Sequence, residues 1–351
     1  MRALILDKVA SVTLNAGLRR DVRIDDSYPC REGDIVAVRV LTEKSTYNML
    51  ELATGRMAAI KQGDVIAGAL GHRNALQGYA GHIPKEIKTG DTLNLLNMGG
   101  VVGVCTSHSP MVGPPHHVEV LGAVLSFPDL GSRTGIPANI AAHCPALESR
   151  LAPGIPPVVA VVGTCMNSGK TEACLTLIQQ FVRRGCRVSA AKTTGVSLRR
   201  DILAMEDAGA GEVCIFTDFG IVTTQASNAP QLTKTSLNRL APAKPDVVVL
   251  ELGDGLLGEY GVAAILQDPE IAGAIDALVL AAGDPVGAWG AVELLKNRHA
   301  MAPALITGPA TDNSAGCATI FRETGIPCLN ARHEPAAMAD LLLPDPQGSH
   351  V

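Results

Sequence analysis

The chain is poor in aromatic residues: Phe, Trp and Tyr make up 3% of its 351 residues, and there is one tryptophan. Binders of single-stranded nucleic acid stack bases on aromatic side chains, so this composition disfavours that class. No long Lys or Arg run occurs and the formal net charge is −5. Neither a nucleic-acid nor an anionic-membrane partner is therefore expected. The longest apolar stretches fall well short of 18 residues, and Met1-Arg-Ala-Leu-Ile-Leu-Asp-Lys8 lacks a sustained apolar signal core, which argues against a membrane span and against a leader. The nine cysteines are scattered without a C-x-x-C pair. Reduced thiols and a cytoplasmic location are the expectation.

Hydrophobic residues make up 47% of the chain, enough for two domains that each bury a core without disulfides or metals. Residues 1–126 read as β-rich. Three Gly-Asp pairs each precede an apolar or alternating run: Gly33-Asp34 before Ile35–Val40, Gly63-Asp64 before Val65–Leu70, and Gly90-Asp91 before Thr92–Leu96. Gly tolerates the positive φ of a tight turn and Asp bonds back to nearby amides, so a smaller barrel-like or sandwich domain is predicted. Residues 127–156, rich in proline, read as a linker. From 157 to 343 the pattern changes to buried strands alternating with helices, followed by a tail at 344–351. Val158–Val162 is an uninterrupted apolar run, as a central parallel strand requires. Further strands are predicted at 187–191, 246–250, 277–281, 304–307 and 326–329. Helices are predicted at 170–184, 198–209, 288–300, 314–324 and 335–342. The fold class is α/β, with a doubly wound, mostly parallel sheet.

Gly163-Thr164-Cys165-Met166-Asn167-Ser168-Gly169-Lys170-Thr171 falls where the first of these strands turns into a helix. A triphosphate needs converging backbone N–H groups, a point cation and a helix N-terminus, and this segment supplies all three. Gly163 permits the tight exit and Gly169 the close approach of backbone to phosphate. Lys170 would reach the β/γ-phosphates and Thr171 would ligate Mg²⁺. Thr164, Asn167, Ser168 and Glu172 complete the candidate cofactor-binding set. A chance Gly-Lys-Thr at a strand end is the bland alternative, and the strand–turn–helix context argues against it.

The five residues between the glycines, where the common pattern has four, resemble the longer P-loop of dethiobiotin synthetase and its relatives in the signal-recognition/MinD/BioD class. Ala191-Lys192-Thr193-Thr194-Gly195 resembles the Lys-Pro-x-x-(Thr/Ser)-Gly stretch of those synthetases, and Leu250-Glu251-Leu252-Gly253-Asp254-Gly255-Leu256 resembles their Glu-Gly-Ala-Gly-Gly-Leu segment. This chain departs from them at Cys165, where they carry an acidic residue, and at Thr193, where they carry proline. It also lacks the early P-loop lysine of partition ATPases. A second resemblance is to the P-loop family that includes D-glutamate N-acetyltransferase. It rests on the Gly-Thr-x-Cys-type loop, Thr194-Gly195, Asp218-Phe219 and Glu323-Thr-Gly-Ile-Pro327 beside an added N-terminal domain.

These resemblances imply catalytic roles for Lys170, Lys192 and Glu251. Glu251 ends an apolar strand at the edge that faces the ligand crevice of such sheets, where a carboxylate can hold Mg²⁺ or orient a nucleophile; merely capping the next turn is its bland reading. Lys192 would offset charge that grows during transfer, or would be a solvated strand-end lysine. Asp218 is a candidate metal ligand beside Thr171 and Glu251, with turn formation as its alternative. Asn313, in Thr307-Gly-Pro-Ala-Thr-Asp-Asn313, is a candidate reader of the base or a helix N-cap. The absence of Asn-Lys-x-Asp favours ATP over GTP.

Cys105, His108, His116, His117 and His143 have no established metal spacing, and adjacent histidines on a strand point to opposite faces. Gly71-His72-Arg73-Asn74 could be an anion-binding turn or an ordinary hairpin. The leading function is a Mg·ATP-dependent ligase or synthetase acting on a small, carboxylate-bearing metabolite. One alternative is an acyltransferase using acetyl-CoA; another is a nucleotide-gated carrier or metallochaperone. A homo-oligomer, most simply a dimer, is implied by the resemblance.

Overall fold

The computed structural model describes residues 1–128, 131 and 133–343. The tail expected at 344–351 lies outside them. The chain forms two compact units. Of the described residues, the first comprises those within 1–146, 196–200 and 216–223, and the second those within 147–195, 201–215 and 224–343. Residues expected to form a linker are divided between them: Ile136–Pro137 pairs with the end of His117–Ser126 in the first unit, while the Glu148 N–H donates to Thr235 Oγ1 in the second.

The first unit is built on a closed ring of five strands. Ile35–Val40 pairs antiparallel with Val65–Leu70, which pairs parallel with Val101–His108. That strand pairs with Thr92–Leu95, which pairs with His117–Ser126, which returns to Ile35–Val40, all antiparallel. Closure leaves no free edge within the ring, so the domain expected to be a barrel or a sandwich is a barrel. Arg2–Ile5 and Asp21–Asp25 extend the sheet on one side, and the hairpin of Arg73–Asn74 with Tyr79–His82 extends it on the other. Leu6, Ile24, Ile66, Leu70, Leu96, Val118, Ile140 and Val222 are fully buried in one core.

The three Gly-Asp turns share one construction. Gly33, Gly63 and Gly90 have φ of 82°, 89° and 93°, a region costly for any residue with a Cβ. The carboxylates of Asp34, Asp64 and Asp91 accept the N–H of Arg31, Lys61 and Lys88, three residues earlier, at 2.8, 2.6 and 2.7 Å. Each turn thus satisfies an amide that no ladder reaches and delivers the chain into a barrel strand.

The second unit holds a six-stranded, wholly parallel sheet. Its spatial order is Glu212–Ile215, Val188–Thr194, Val247–Leu252, Val158–Gly163, Ile275–Ala281, Leu305–Thr307. From the strand at 158–163 the chain runs to 188–194 and 212–215 on one side, returns to place 247–252 between 158–163 and 188–194, and then continues to 275–281 and 305–307 on the other side, a doubly wound arrangement as expected. Val158–Gly163 and Val247–Leu252 are buried along their whole length, as strands covered on both faces must be. Helices form at Lys170–Arg183, Arg200–Asp207, Pro285–His299, Ser314–Thr324 and Pro335–Leu342, close to the predicted spans. The strand predicted at 326–329 is a correction: only a single bridge joins Cys328 to Ile306. The helices Ala229–Leu240, Val262–Gln267 and Pro269–Ala274, and the edge strand Glu212–Ile215, had no prediction. Among the described residues no helix is long and apolar enough to cross a membrane.

Candidate functional site

The strand Val158–Gly163 ends in a loop whose shape is imposed by close approach. A Cβ on Gly163 would stand 2.4 Å from Ser168 Oγ and 2.8 Å from Lys170 Cγ, so only glycine fits. Gly169 has φ 96° and Asn167 has φ 59°. Successive residues of this kind turn the loop back on itself before the helix Lys170–Arg183 begins. Two other segments pack on the loop. At Gly255 a Cβ would lie 2.8 Å from Thr164 O, and at Gly308 one would lie 2.2 Å from Ser168 O. Both glycines are therefore part of the site's wall.

Lys170 is 7% exposed. Its ammonium donates to Cys165 O at 2.7 Å and Asp254 O at 2.5 Å, and it makes no ion pair among the described residues. Burial holds its pKa below the ordinary lysine value, against the opposing charge of Glu251. A cation that relies on carbonyl oxygens in a dry loop is poised for an anion.

Three neighbouring strands bring further groups together at their carboxyl ends. Glu251, 1% exposed, accepts from Thr171 Oγ1 at 3.2 Å and from Lys192 Nζ at 3.0 Å through the same oxygen, Oε1. Its Oε2 is buried without a hydrogen-bond partner, as is Ser168 Oγ. Lys192 also donates to Asp201 at very short range. Burial lowers the Lys192 pKa, but the flanking Glu251 and Asp201 charges more than reverse it, and the net shift is upward. Lys192 is therefore held as an ammonium. Beneath it, burial raises the Cys174 thiol far above its usual range, so this cysteine is an inert packing group.

The structure thus brings Gly163, Ser168, Gly169, Lys170, Thr171, Lys192 and Glu251 together at the carboxyl ends of adjacent strands. Thr164 lies in the loop with its N–H bonded to Ala281 O. Glu172 faces Arg332 at 3.5 Å across an exposed pair. Asn313 turns its amide oxygen to the Gly316 N–H at 2.9 Å and so caps the helix Ser314–Thr324, the bland one of its two readings. Asp218 sits in the turn Phe216–Phe219, which belongs with the first unit, and its carboxylate pairs with Arg199 at 2.5 Å. Sequence reasoning passed over Asp201, and it quoted Asp254 and Gly308 as members of longer segments without giving either a role. The signal for Asp201 was available, as an acidic residue in the first turn of the helix that follows the Lys192 strand. Among the described residues no group of three or more His, Cys, Asp or Glu could hold a metal. His116 instead bonds to Thr42 O.

No family model matches the chain, and no curated protein matches it. Similar solved structures include a DUF1611 family protein from Anabaena variabilis, at 17% identity and TM-score 0.41, with 58% of this chain and 63% of that chain covered. This chain therefore spans less than two thirds of that protein. They also include the cell division protein FtsY from Thermotoga maritima, at 19% identity and TM-score 0.39 over 57% of this chain and 72% of that one. The 54 kDa signal recognition particle protein from Aeropyrum pernix, solved with GDP, is 20% identical at TM-score 0.38 over 54% of this chain and 48% of its own. The second unit has the P-loop NTPase fold, read from its own sheet order and from the loop between its first strand and first helix.

Proposed function

We propose that this protein binds a nucleoside triphosphate with Mg²⁺ at residues 163–171 and transfers its terminal phosphoryl group to a small carboxylate-bearing metabolite, in the manner of a ligase or synthetase. The observation that carries the reading is the Thr171–Glu251–Lys192 constellation. One Glu251 oxygen is shared by a hydroxyl and an ammonium, while the other is buried without a hydrogen-bond partner. Such a carboxylate oxygen beside a P-loop threonine suits Mg²⁺, which takes one or two protein ligands and completes its shell with phosphate and water. The glycine cradle suits phosphate because a side chain at Gly163 or Gly169 would fill it or strain it. When bound, the nucleotide would supply the transferable phosphoryl group.

The chain's own residues do the rest. Loop amides and Lys170 orient the anion, Thr171 and Glu251 hold the metal, and Lys192 offers fixed positive charge where negative charge grows. Asp201 keeps that ammonium aimed and protonated. ATP is favoured because the 307–313 loop has no Asn-Lys-x-Asp. A dimer of this 36.4 kDa chain completes the proposal, and light scattering on the purified protein tests it.

The central test is a thermal-shift comparison of wild type and Lys170→Ala with ATP, GTP and acetyl-CoA, each with Mg²⁺. Stabilisation by ATP in the wild type alone, with ADP released from mixtures of carboxylates, is the expected result. Stabilisation by acetyl-CoA without hydrolysis would overturn it in favour of an acyltransferase, since a phosphate cradle grips pyrophosphate whichever molecule carries it. Hydrolysis that appears only with a protein partner would favour a carrier.

A further inference from the structure

The barrel unit contains a second concentration of positive charge with no counter-charge. Arg73, on the short strand Arg73–Asn74, is 6% exposed. Its guanidinium donates to Tyr47 Oη at 2.9 Å and to Leu96 O, and its Nε is buried without a partner. Lys44 donates to Tyr79 Oη at 3.1 Å, to Val112 O at 2.9 Å and to Pro114 O. Among the described residues neither cation has a carboxylate partner.

Two tyrosines line this cluster. The rings of Tyr47 and Tyr79 meet edge to face at 5.4 Å, and the Arg73 guanidinium carbon lies 5.6 Å from each centroid. Tyr47 is held at φ 52°, a left-handed conformation that L residues adopt at a cost and that concentrates at ligand clamps. Gly78 closes the hairpin over the same point: a Cβ there would stand 2.9 Å from Arg73 Nη2. Burial alone lowers the Lys44 pKa, with no acidic group opposing it. A buried guanidinium and a half-buried ammonium without an acid are an uncompensated cost in the free protein.

We infer that Lys44, Tyr47, Arg73 and Tyr79 form a binding site for the carboxylate group of a small molecule, separate from the P-loop. A carboxylate matches the Nε–Nη2 side of the arginine fork, replaces one oxygen acceptor at Lys44, accepts from the Tyr47 phenol, and restores the missing negative charge. An arginine fork also takes phosphate bidentately, so inorganic phosphate is the competing anion in the test. This inference stands whether or not the second unit handles a nucleotide.

Thermal shift with succinate as the probe, sodium chloride holding ionic strength constant, tests it. The wild type should gain about 3 °C when succinate is roughly tenfold above its Kd. Lys44→Met and Arg73→Lys should each weaken succinate binding about tenfold or more. Lys170→Ala should respond as the wild type does. Far-UV circular dichroism verifies that the variants fold, and Lys44→Met with Tyr47→Phe decides the matter if Arg73→Lys does not. The inference is overturned by no response to acetate, succinate or citrate. It is equally overturned by an equal response to inorganic phosphate, by succinate binding that survives both cation variants, or by loss of binding in Lys170→Ala alone.

Discussion

At the scale of the residue, the two cation clusters differ in how their charge is balanced. Lys192 is flanked by two carboxylates. Its folded-state pKa is raised, so its contribution to stability is complete below the ordinary lysine value and is lost only as pH rises through the still higher folded value. Lys192→Met removes it at every physiological pH and strands Glu251 beside Asp201. A loss of about 3 kcal/mol is expected in urea unfolding at neutral pH. Glu251→Gln keeps the shape and loses the charge, so nucleotide binding should survive while steady-state turnover falls by about a hundredfold. Lys44 has the opposite sign. Its folded pKa lies below the ordinary value, so the unfolded chain binds more protons than the native one in that alkaline window. Stability gains with pH there. Lys44→Met should flatten that gain in alkaline denaturation curves, and bound succinate should flatten it too.

At the scale of the element, legibility followed physical signal. The Gly-Asp turns were readable because glycine's φ and aspartate's bond to the amide three residues back are both local. Gly90 has open space around a would-be Cβ, so Gly90→Ala isolates the backbone term and should cost about 1–2 kcal/mol in denaturant midpoint analysis. The P-loop was equally readable, since strand, glycines and helix are contiguous. The helix Ala229–Leu240 was not. Its buried residues include Thr233, Lys234, Thr235 and Ser236, which interrupt the short apolar period of Ala229, Leu232, Leu237 and Leu240. Thr233, Thr235 and Ser236 return their hydroxyls to carbonyls four residues back, and Lys234 is paired with Asp268 and Glu270. A polar segment can be interior when it satisfies itself, and hydrophobic periodicity is blind to that. Ile326–Leu329 shows the converse, an apolar run that lines a sheet edge through one bridge only.

At the scale of the whole molecule, the barrel is not assembled from the first part of the chain alone. Residues 196–200 and 216–223 belong to it. Val222 lies fully buried in its core, the Thr223 N–H donates to Glu32 at 2.9 Å, Ser197 O accepts from Asn97 at 2.6 Å, and both Glu51 oxygens accept the N–H groups of Arg199 and Arg200. A fragment ending at residue 146 would leave the buried Glu51 carboxylate and the Asn97 amide N–H without these partners, and the core open where Val222 fits. Such a fragment should unfold at a lower urea concentration than the barrel within the intact chain, read by tyrosine fluorescence, because Trp289 lies in the other unit. The same threading bears on biosynthesis. As the chain leaves the ribosome, the amino-terminal barrel must wait for more than seventy further residues before its last wedge emerges. The usual vectorial order, first domain finished before the second begins, is closed to this topology. A nascent polypeptide paused before residue 216 would expose an unsealed cavity, which makes that interval the one in which chaperone capture should be strongest.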